Sequence, residues 1–536
     1  MKMRLIRDLN RREDVSAPSS VRSTDSYGIF GNEYSDISDC ECLEDGQHFE
    51  NYNNRTPFYP GYCRILGHRN MECEETTPLL SAAAVRKSVS CSDSLGPGEI
   101  SDGDVLETYK RIEKENKEDA EKKKQSSLVT IFSVWNTIMG SSLLTMAWGV
   151  ERAGLTTALV LVAGMAALCL YTAHLLLRVN RHHGSAACEV PALCRVLLGP
   201  WAEAVAHIFS LLVLVGANIV YWLLIANFLY HTVNYFMDLS PTNGTRYSDG
   251  ILCPKHEALL EGHPVPAPSP YWGLHTTVPF YVALGIFPLL NFANVTFFTK
   301  FNSLGTLSVG YLIVFVIYKG ATWGGHGSGS RGAGLDAAAL SGMLALSFYI
   351  HNIIITIMTN NRRQENNGRD LSIAFLLVTV TYTLVGAVFY ICFPLDKSCI
   401  EDNILNNFEM HDVLTAVARA LLLFQVVTVF PLVAYMLRRE AVLLLPFQES
   451  RRLTVCINLT LVAVCILVAC LCPNIGTIIR YTGAISGLVH IFALPSLLQV
   501  RSLQLRGKLT FWKALLYFCI VLFGVTNFIM QFLITE

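Results

Sequence analysis

Long apolar segments constrain this chain more than any other feature of its sequence. From Leu128 onward, runs of about 20 mostly apolar residues follow one another almost to the C-terminus. In lipid only helices and closed barrels satisfy every backbone polar group, and a helix needs roughly 20 apolar residues to cross the hydrocarbon core. We count eleven helical candidates: 128–150, 153–178, 202–236, 276–292, 303–320, 337–359, 371–394, 412–437, 452–472, 474–499 and 511–534. The sequence therefore predicts an all-α membrane protein with eleven transmembrane helices.

The N-terminal segment has a different composition. Residues 1–126 hold 24 of the 42 Asp and Glu residues and 18 of the 41 Lys and Arg residues. Such a polar segment cannot bury enough apolar surface to fold alone, so we predict a disordered tail over 1–126 and a membrane domain over 127–536. The tail has no apolar signal-peptide core, which predicts that it stays in the cytosol. With a net charge of −1 and no basic patch, the sequence gives no indication of nucleic-acid binding.

Lys and Arg between the runs predict the orientation. They concentrate in alternate loops, which places the N-terminus in the cytosol and the C-terminus on the opposite, luminal side. The two longest loops of that second side are 237–275 and 395–411. The first contains the sequon Asn243-Gly244-Thr245, which predicts glycosylation of Asn243. Cys253 and Cys399 lie in these two loops, where either a disulfide or two free thiols would fit an oxidising compartment.

The first run carries polar and small residues at its middle, in the segment WNTIMGSS (135–142). Gly140 accepts dihedrals that other residues avoid, which favours a break in the helix. A broken helix exposes amide N–H groups that can bind a carboxylate and carbonyls that can bind a cation. Side-chain oxygens are supplied by Asn136, Thr137, Ser141 and Ser142. The alternative is a small-residue face that packs against a neighbouring helix.

The sixth run has a similar interruption. His351 and Asn352 lie near its middle, and a five-plus-five inverted repeat would make the first and sixth runs equivalent. Paired interruptions at equivalent positions indicate a binding site halfway across the bilayer. His351 could also titrate near neutral pH and couple the site to acidity. The alternative is a histidine that is hydrogen-bonded within the core.

The eighth run places Gln425 and Thr428 on one helical face. A threonine hydroxyl and freed carbonyls are oxygen ligands suited to sodium. The alternative is a threonine that bonds a carbonyl of its own helix. Arg419 in the same run should face protein or water, because a charge in lipid is costly.

Several segments resemble one known family. The chain is similar to lysosomal sodium-coupled neutral amino acid transporters of the amino acid/auxin permease family, over roughly residues 126–534. That resemblance implies eleven transmembrane helices in a leucine-transporter-like 5+5 inverted repeat with broken helices 1 and 6. It rests on SLVTIFSVWNTIMGSSLLTMAWG, VYWLLIANFL, TVPFYVALGIFPLLNF, KFNSLGTLSVGYLI, NNRRQENNGRDL, ARALLLFQVVTVFPL and CPNIGTIIRYTGA.

The resemblance also implies site residues. Arginine would bind at the first-helix motif, which here comprises Asn136, Thr137, Ile138, Met139, Gly140 and Ser141, with Ser142 adjoining. Ser141 stands where the family usually has threonine. Sodium, as the coupling ion, would be bound by Asn136 and Thr428. Cys253 and Cys399 match a disulfide of the family.

For function, the resemblance implies a lysosomal amino acid exporter and arginine sensor that signals to the TOR growth kinase. Its tail would bind Rag GTPases and Ragulator. Glu75, Leu79 and Leu80 form an acidic dileucine pattern typical of lysosomal sorting, and LVAYMLR (432–438) fits a weak cholesterol-contact pattern. The alternatives are a receptor of the same fold that transports little, and a plasma-membrane permease without signalling. No enzyme motif indicates catalysis.

Overall fold

The computed structural model describes residues 124–184, 189–237, 250–254, 271–291, 305–325, 336–445 and 450–534. Within these ranges the chain is helical and contains no β-strand, so the predicted all-α class is confirmed for them. The predictions for the disordered tail, for Asn243 and for the sorting residues Glu75, Leu79 and Leu80 concern residues outside this part, apart from the tail's last three residues.

The helices of the described part follow the predicted runs closely. In chain order they are α1 (Ser127–Ile138), α2 (Ser142–Ala153), α3 (Leu155–His183), α4 (Val190–Leu198), α5 (Pro200–Met237), α6 (Val278–Leu290), α7 (Gly305–Trp323), α8 (Ala337–Ser347), α9 (Ile354–Thr359), α10 (Asn367–Cys392), α11 (Val413–Leu444), α12 (Arg451–Leu471), α13 (Ile475–Ser486), α14 (Leu494–Leu505) and α15 (Phe511–Met530). A π-helical segment, Gly487–Ala493, joins α13 to α14.

Eight spans among the described residues are long and apolar enough to cross a membrane, and the bent pair α1–α2 makes a ninth. Two shorter apolar helices, α6 and α8, lie within the other two predicted runs. The predicted total of eleven and the inverted-repeat arrangement stay predictions.

The described helices divide into an inner and an outer set. In the span Ile475–Leu505, 72% of the most apolar window is buried, against 22% in α15 and 28% in α12. Helix α5 packs most extensively against α11, where the Trp222 and Phe430 rings lie 5.6 Å apart. Close packing of α8 and α13 depends on glycine, since a Cβ at Gly483 would clash with the Gly342 carbonyl oxygen. The interrupted spans thus pack against inner helices, α8 against α13 and α2 against α10.

The 395–411 loop forms a cap at the end of the bundle that is predicted to be luminal. Cys253 and Cys399 lie at disulfide-bonding distance, with Cα atoms 4.9 Å apart, as the family resemblance implies. The buried Arg419 donates to the carbonyl of Leu405 at 2.7 Å and to that of Phe408 at 3.2 Å. The guanidinium therefore faces protein, as predicted, and ties α11 to the cap.

Candidate functional site

The first span is broken at the predicted position. Helix α1 ends at Ile138, Met139 is extended with φ −67° and ψ 93°, and α2 begins at Ser142 after a bend of 61°. Within the described residues, the N–H groups of 140–142 donate no hydrogen bond and the carbonyls of 136 and 137 accept none. The break therefore presents free donors on one side and free acceptors on the other.

The break does not depend on unusual dihedrals at Gly140, and that part of the interpretation is wrong. The φ angle of Gly140 is not positive. The chain changes direction at Met139 instead. A Cβ at Gly140 would lie 3.6 Å from the Tyr221 hydroxyl, an ordinary contact. The small-residue packing that we considered as an alternative occurs instead at Gly149, where a Cβ would lie 2.7 Å from Leu340.

The sixth span is also broken. Helix α8 ends at Ser347 and α9 begins at Ile354. The N–H groups of Phe348 and Tyr349 still bond back into α8, whereas those of 350–352 donate no hydrogen bond within the described part. Both interruptions that the sequence predicts, at 135–142 and near His351, are therefore present in the described part of the chain.

Tyr382, which is not among the residues predicted from the sequence, joins the two breaks. This α10 residue is buried, and its hydroxyl lies 3.1 Å from the carbonyl of Ile138 and 3.1 Å from that of Ser347. These are the last residues of α1 and α8, so one phenol caps both helix ends, donating its single proton to one carbonyl at a time. A tyrosine near the middle of a predicted span was the available signal, because a buried phenol needs a polar partner.

The residues predicted for substrate binding contribute mostly through their backbone. The side chains of Ile138 and Met139 are buried in the core. Thr137 donates to the Ser133 carbonyl of its own helix at 2.7 Å, and the side-chain oxygen Oδ1 of Asn136 accepts from the Thr306 hydroxyl of α7 at 3.3 Å. Ser141 is half-buried at the bend, and Ser142 is buried at the start of α2. The site is therefore a set of peptide groups with Asn136 at its edge.

The two predicted sodium ligands, Asn136 and Thr428, lie on α1 and α11, and α7 is hydrogen-bonded to both of these helices. Thr428 donates to the Gln425 carbonyl at 2.8 Å, which is the alternative considered for this residue. No hydrogen bond links Asn136 to Thr428 in the described chain. The Gln425 side-chain oxygen is buried and accepts no hydrogen bond from any described residue. A hard cation prefers oxygen ligands, so Gln425 is a further candidate next to Thr428.

His351 is fully buried against α3. Its Nε2 lies 2.9 Å from the Thr172 hydroxyl and 3.2 Å from the Cys169 carbonyl. This arrangement is the hydrogen-bonded core histidine that we weighed against a ligand role. The remaining nitrogen, Nδ1, has no hydrogen-bond partner among the described residues.

A cavity of about 140 Å³ lies beneath the cap, toward the predicted luminal side. Its polar lining includes His275, Glu401, Asp402, Asn406 and Asn474. Burial lowers the pKa of His275. Asp402 accepts a hydrogen bond from the N–H of Gly476, near the start of α13, at 3.0 Å. The lining of this cavity therefore contains two carboxylates and one histidine.

Comparison with known proteins agrees with this architecture. The sequence matches the family described as transmembrane amino acid transporter protein over residues 123–535. It is 38% identical over 455 residues to the sodium-coupled neutral amino acid transporter 9 homolog of Caenorhabditis elegans, covering 77% of this chain and 74% of the relative. It is 37% identical to the neutral amino acid transporter 9 of Danio rerio, covering 76% of this chain and 81% of the relative. For that of Rattus norvegicus the identity is 37% and the coverage 76% and 79%. The resemblance seen in the motifs is confirmed.

Proposed function

The chain belongs to the transmembrane amino acid transporter family, and from this premise we propose that it exports amino acids from the lysosome, with arginine bound at the break of the first span. The observation that carries the proposal is the pair of adjacent breaks joined by Tyr382. Free amides of residues 140–142 suit the carboxylate of an amino acid, since unpaired N–H groups at a helix start attract anions. The free carbonyls of residues 136 and 137 suit its ammonium group.

Tyr382 gives the site a mechanical role as well. Because its hydroxyl contacts the last carbonyl of α1 and the last carbonyl of α8, movement of either broken helix changes the contact with the other. In the proposed alternating access, α1 and α8 move together against α10. Substrate binding at the free amides then favours one of the two positions.

Sodium is proposed as the coupling ion, carried as cargo and not as a resident cofactor. Thr428 and Gln425 would supply oxygens from α11, and Asn136 would supply one from α1. Because Thr306 donates to Asn136 and Ser308 of α7 donates to the Leu421 carbonyl of α11 at 3.3 Å, α7 connects both parts of the set. A sodium ion held there would draw α1 toward α11.

The signalling role is proposed from the resemblance. Arginine occupancy would be reported through residues 1–126 to Rag GTPases and Ragulator, and from them to the TOR kinase. Lysosomal placement would depend on Glu75, Leu79 and Leu80, with Asn243 glycosylated in the lumen. Cholesterol or other lysosomal lipids would contact the outer helices.

Uptake by purified protein in proteoliposomes tests the proposal. We expect uptake of labelled amino acids that depends on a sodium gradient and responds to arginine on the luminal side. Arginine binding without uptake would favour the receptor alternative. Uptake that is insensitive to arginine for every amino acid tried would contradict the proposed site.

A further inference from the structure

A row of buried and half-buried titratable side chains leads from the break of the sixth span toward the predicted cytosolic face. We call it the histidine file: His351, Tyr349, His490, His207 and Glu440. The Tyr349 ring centroid lies 6.4 Å from that of His351 and 5.8 Å from that of His490. His490 in turn lies beside the backbone of Ala206, next to His207. The file therefore crosses from the sixth span through the tenth span to α5.

The inner members have polar atoms without partners. The Tyr349 hydroxyl, Nδ1 of His351 and both ring nitrogens of His490 are buried and make no hydrogen bond of ordinary geometry with the described residues. An unsatisfied buried polar group costs about 1–3 kcal/mol, so four such atoms in one row call for a reason. His490 also lies inside the π-helical segment Gly487–Ala493, a form often found at functional sites.

The donors and acceptors of the inner residues follow one another in the order that proton transfer requires. A carbonyl can only accept, so Nε2 of His351 carries the proton that bonds to Cys169, and Nδ1 is left as an acceptor. The Tyr349 hydroxyl can accept one proton and release its own. A neutral imidazole such as His490 accepts at one nitrogen and releases from the other.

The outer end of the file opens among acidic residues. Nδ1 of His207 lies 2.7 Å from a carboxylate oxygen of Glu440, whose other oxygen accepts from Ser210 at 3.4 Å. Their side chains are 14% and 18% exposed. Glu189 and Glu203 are close by and are paired with Arg439 and Arg195. These residues lie at the ends of helices that adjoin the predicted cytosolic loops.

The other elements packed around the file contribute few charges. Helix α3 places the Cys169 carbonyl and the Thr172 hydroxyl next to His351. Helix α11 contributes the Glu440 carboxylate, whose charge acts on Tyr349. Against the π-helical segment, α8 places Ala345 beside Gly487, and α15 places Phe523 beside Phe492. On α13, Arg480 stacks over Tyr481, ten positions before His490.

We propose that the histidine file is a proton path that couples amino acid movement to proton release on the cytosolic side. The inference rests on the proposed transport function. A proton held at Nδ1 of His351 passes to the Tyr349 oxygen while the tyrosine proton moves to one His490 nitrogen. The proton on the other nitrogen leaves toward His207 and Glu440, directly or through one water. Each intermediate gains one proton and loses one, so only the charge on His351 changes.

The test uses the full chain in proteoliposomes that contain a pH-sensitive dye, with labelled leucine and arginine. Proton movement is measured with an amino acid gradient, and tracer counterflow is measured with equal pH and equal amino acid on both sides. We expect His490→Phe to lower the number of protons moved per amino acid at least tenfold and to leave counterflow within twofold. His207→Gln, at the partly exposed outer end of the file, should shift the pH dependence of net uptake without changing counterflow.

His183→Gln is the matched control. This histidine, the last residue of α3, is hydrogen-bonded to the Ser502 hydroxyl and lies outside the file. It should change neither measurement. Unchanged proton movement in His490→Phe overturns the inference. If that variant does not fold, an unchanged pH dependence in His207→Gln overturns it. Counterflow without proton movement in the natural chain rejects the path alone, whereas no counterflow at all rejects the transport function as well.

Discussion

At the scale of single residues, the site depends on a few contacts that replace lost helical hydrogen bonds. Tyr382 is the main one, since its hydroxyl serves the ends of two broken helices. Its ring packs edge-on to Phe348 at 5.6 Å, which holds the hydroxyl in place. The sequence signal for this residue was weak, because its partners lie 244 and 35 positions away.

Tyr382→Phe removes the hydroxyl and keeps the ring, so it separates the contribution of the hydrogen bonds from that of the ring packing. The ring packing persists, but two buried carbonyls lose their donor, which we expect to lower the free energy of unfolding by about 1–3 kcal/mol. Transport should slow more than binding weakens, because the two breaks are no longer joined. Thermal unfolding and uptake kinetics check this. Tyr318→Phe, on a side chain that is 54% exposed, is the control and should change neither.

Gly140→Ala probes the room at the first break. The new Cβ makes only an ordinary contact with Tyr221, so the free energy of unfolding should change by less than about 1 kcal/mol. It also narrows the space in front of the free amides, so the KM for amino acids should rise several-fold. Gly164→Ala, where nothing lies within 4 Å of the added atom, should leave the KM unchanged. Equal effects of both substitutions would contradict a site at the break.

At the scale of elements, charged and capping groups supply hydrogen-bond partners to the backbone at helix ends and loops. Lipid has no such partners to offer. Ser126 caps α1, with its hydroxyl accepting from the Val129 N–H at 3.4 Å. The adjoining Gln125 exchanges backbone hydrogen bonds of 2.8 Å with Asn360 and Arg362. The start of α1 and the end of α9 are therefore connected, so both broken spans share an anchor at the predicted cytosolic face.

Arg419→Met tests the attachment of the cap to α11. Methionine fills similar space but leaves the carbonyls of Leu405 and Phe408 without their donor. We expect a loss of about 2–4 kcal/mol in the free energy of unfolding and faster proteolysis of the 395–411 loop. Arg501→Met, on an exposed position of α14, is the control. Equal melting temperatures for the two variants would refute the attachment.

At the scale of the whole molecule, two features hold the predicted luminal end together. The disulfide joins positions that are 146 residues apart, and the cap covers the acidic cavity. Removing the disulfide as Cys253→Ser with Cys399→Ser should lower stability by about 2 kcal/mol. We expect this lower part of the usual range because the intervening helices stay inserted and already restrict the unfolded chain. Thermal unfolding with Cys519→Ser as the control measures it, and equal melting temperatures would contradict the prediction.

The same end should respond to acidity. Burial lowers the pKa of His275, so the unfolded chain binds a proton more readily than the folded one. Acidification through the ordinary histidine value of about 6.5 therefore lowers the free energy of unfolding. The melting temperature of the natural chain should fall more between pH 7 and pH 5 than that of His275→Gln. Parallel pH profiles would show that His275 contributes nothing to the acid response.

Within the described residues, the sequence by itself determined the helical class, the positions of the apolar helices and the two interruptions. These properties depend on residue type within a few positions, because a helix needs apolar side chains in lipid and a break needs polar groups to satisfy it. Even so, the reason for the first break was misjudged at Gly140, because the turn occurs at Met139.

Only the tertiary structure decided which polar groups meet. His351 faces Thr172 of α3, Thr428 bonds within its own helix, and Tyr382 caps α1 and α8. Each outcome depends on how helices distant in sequence pack and rotate against one another. The apolar pattern leaves that rotation open inside a membrane, where lipid and helix neighbours are equally apolar and only hydrogen bonds and close packing distinguish one face from another.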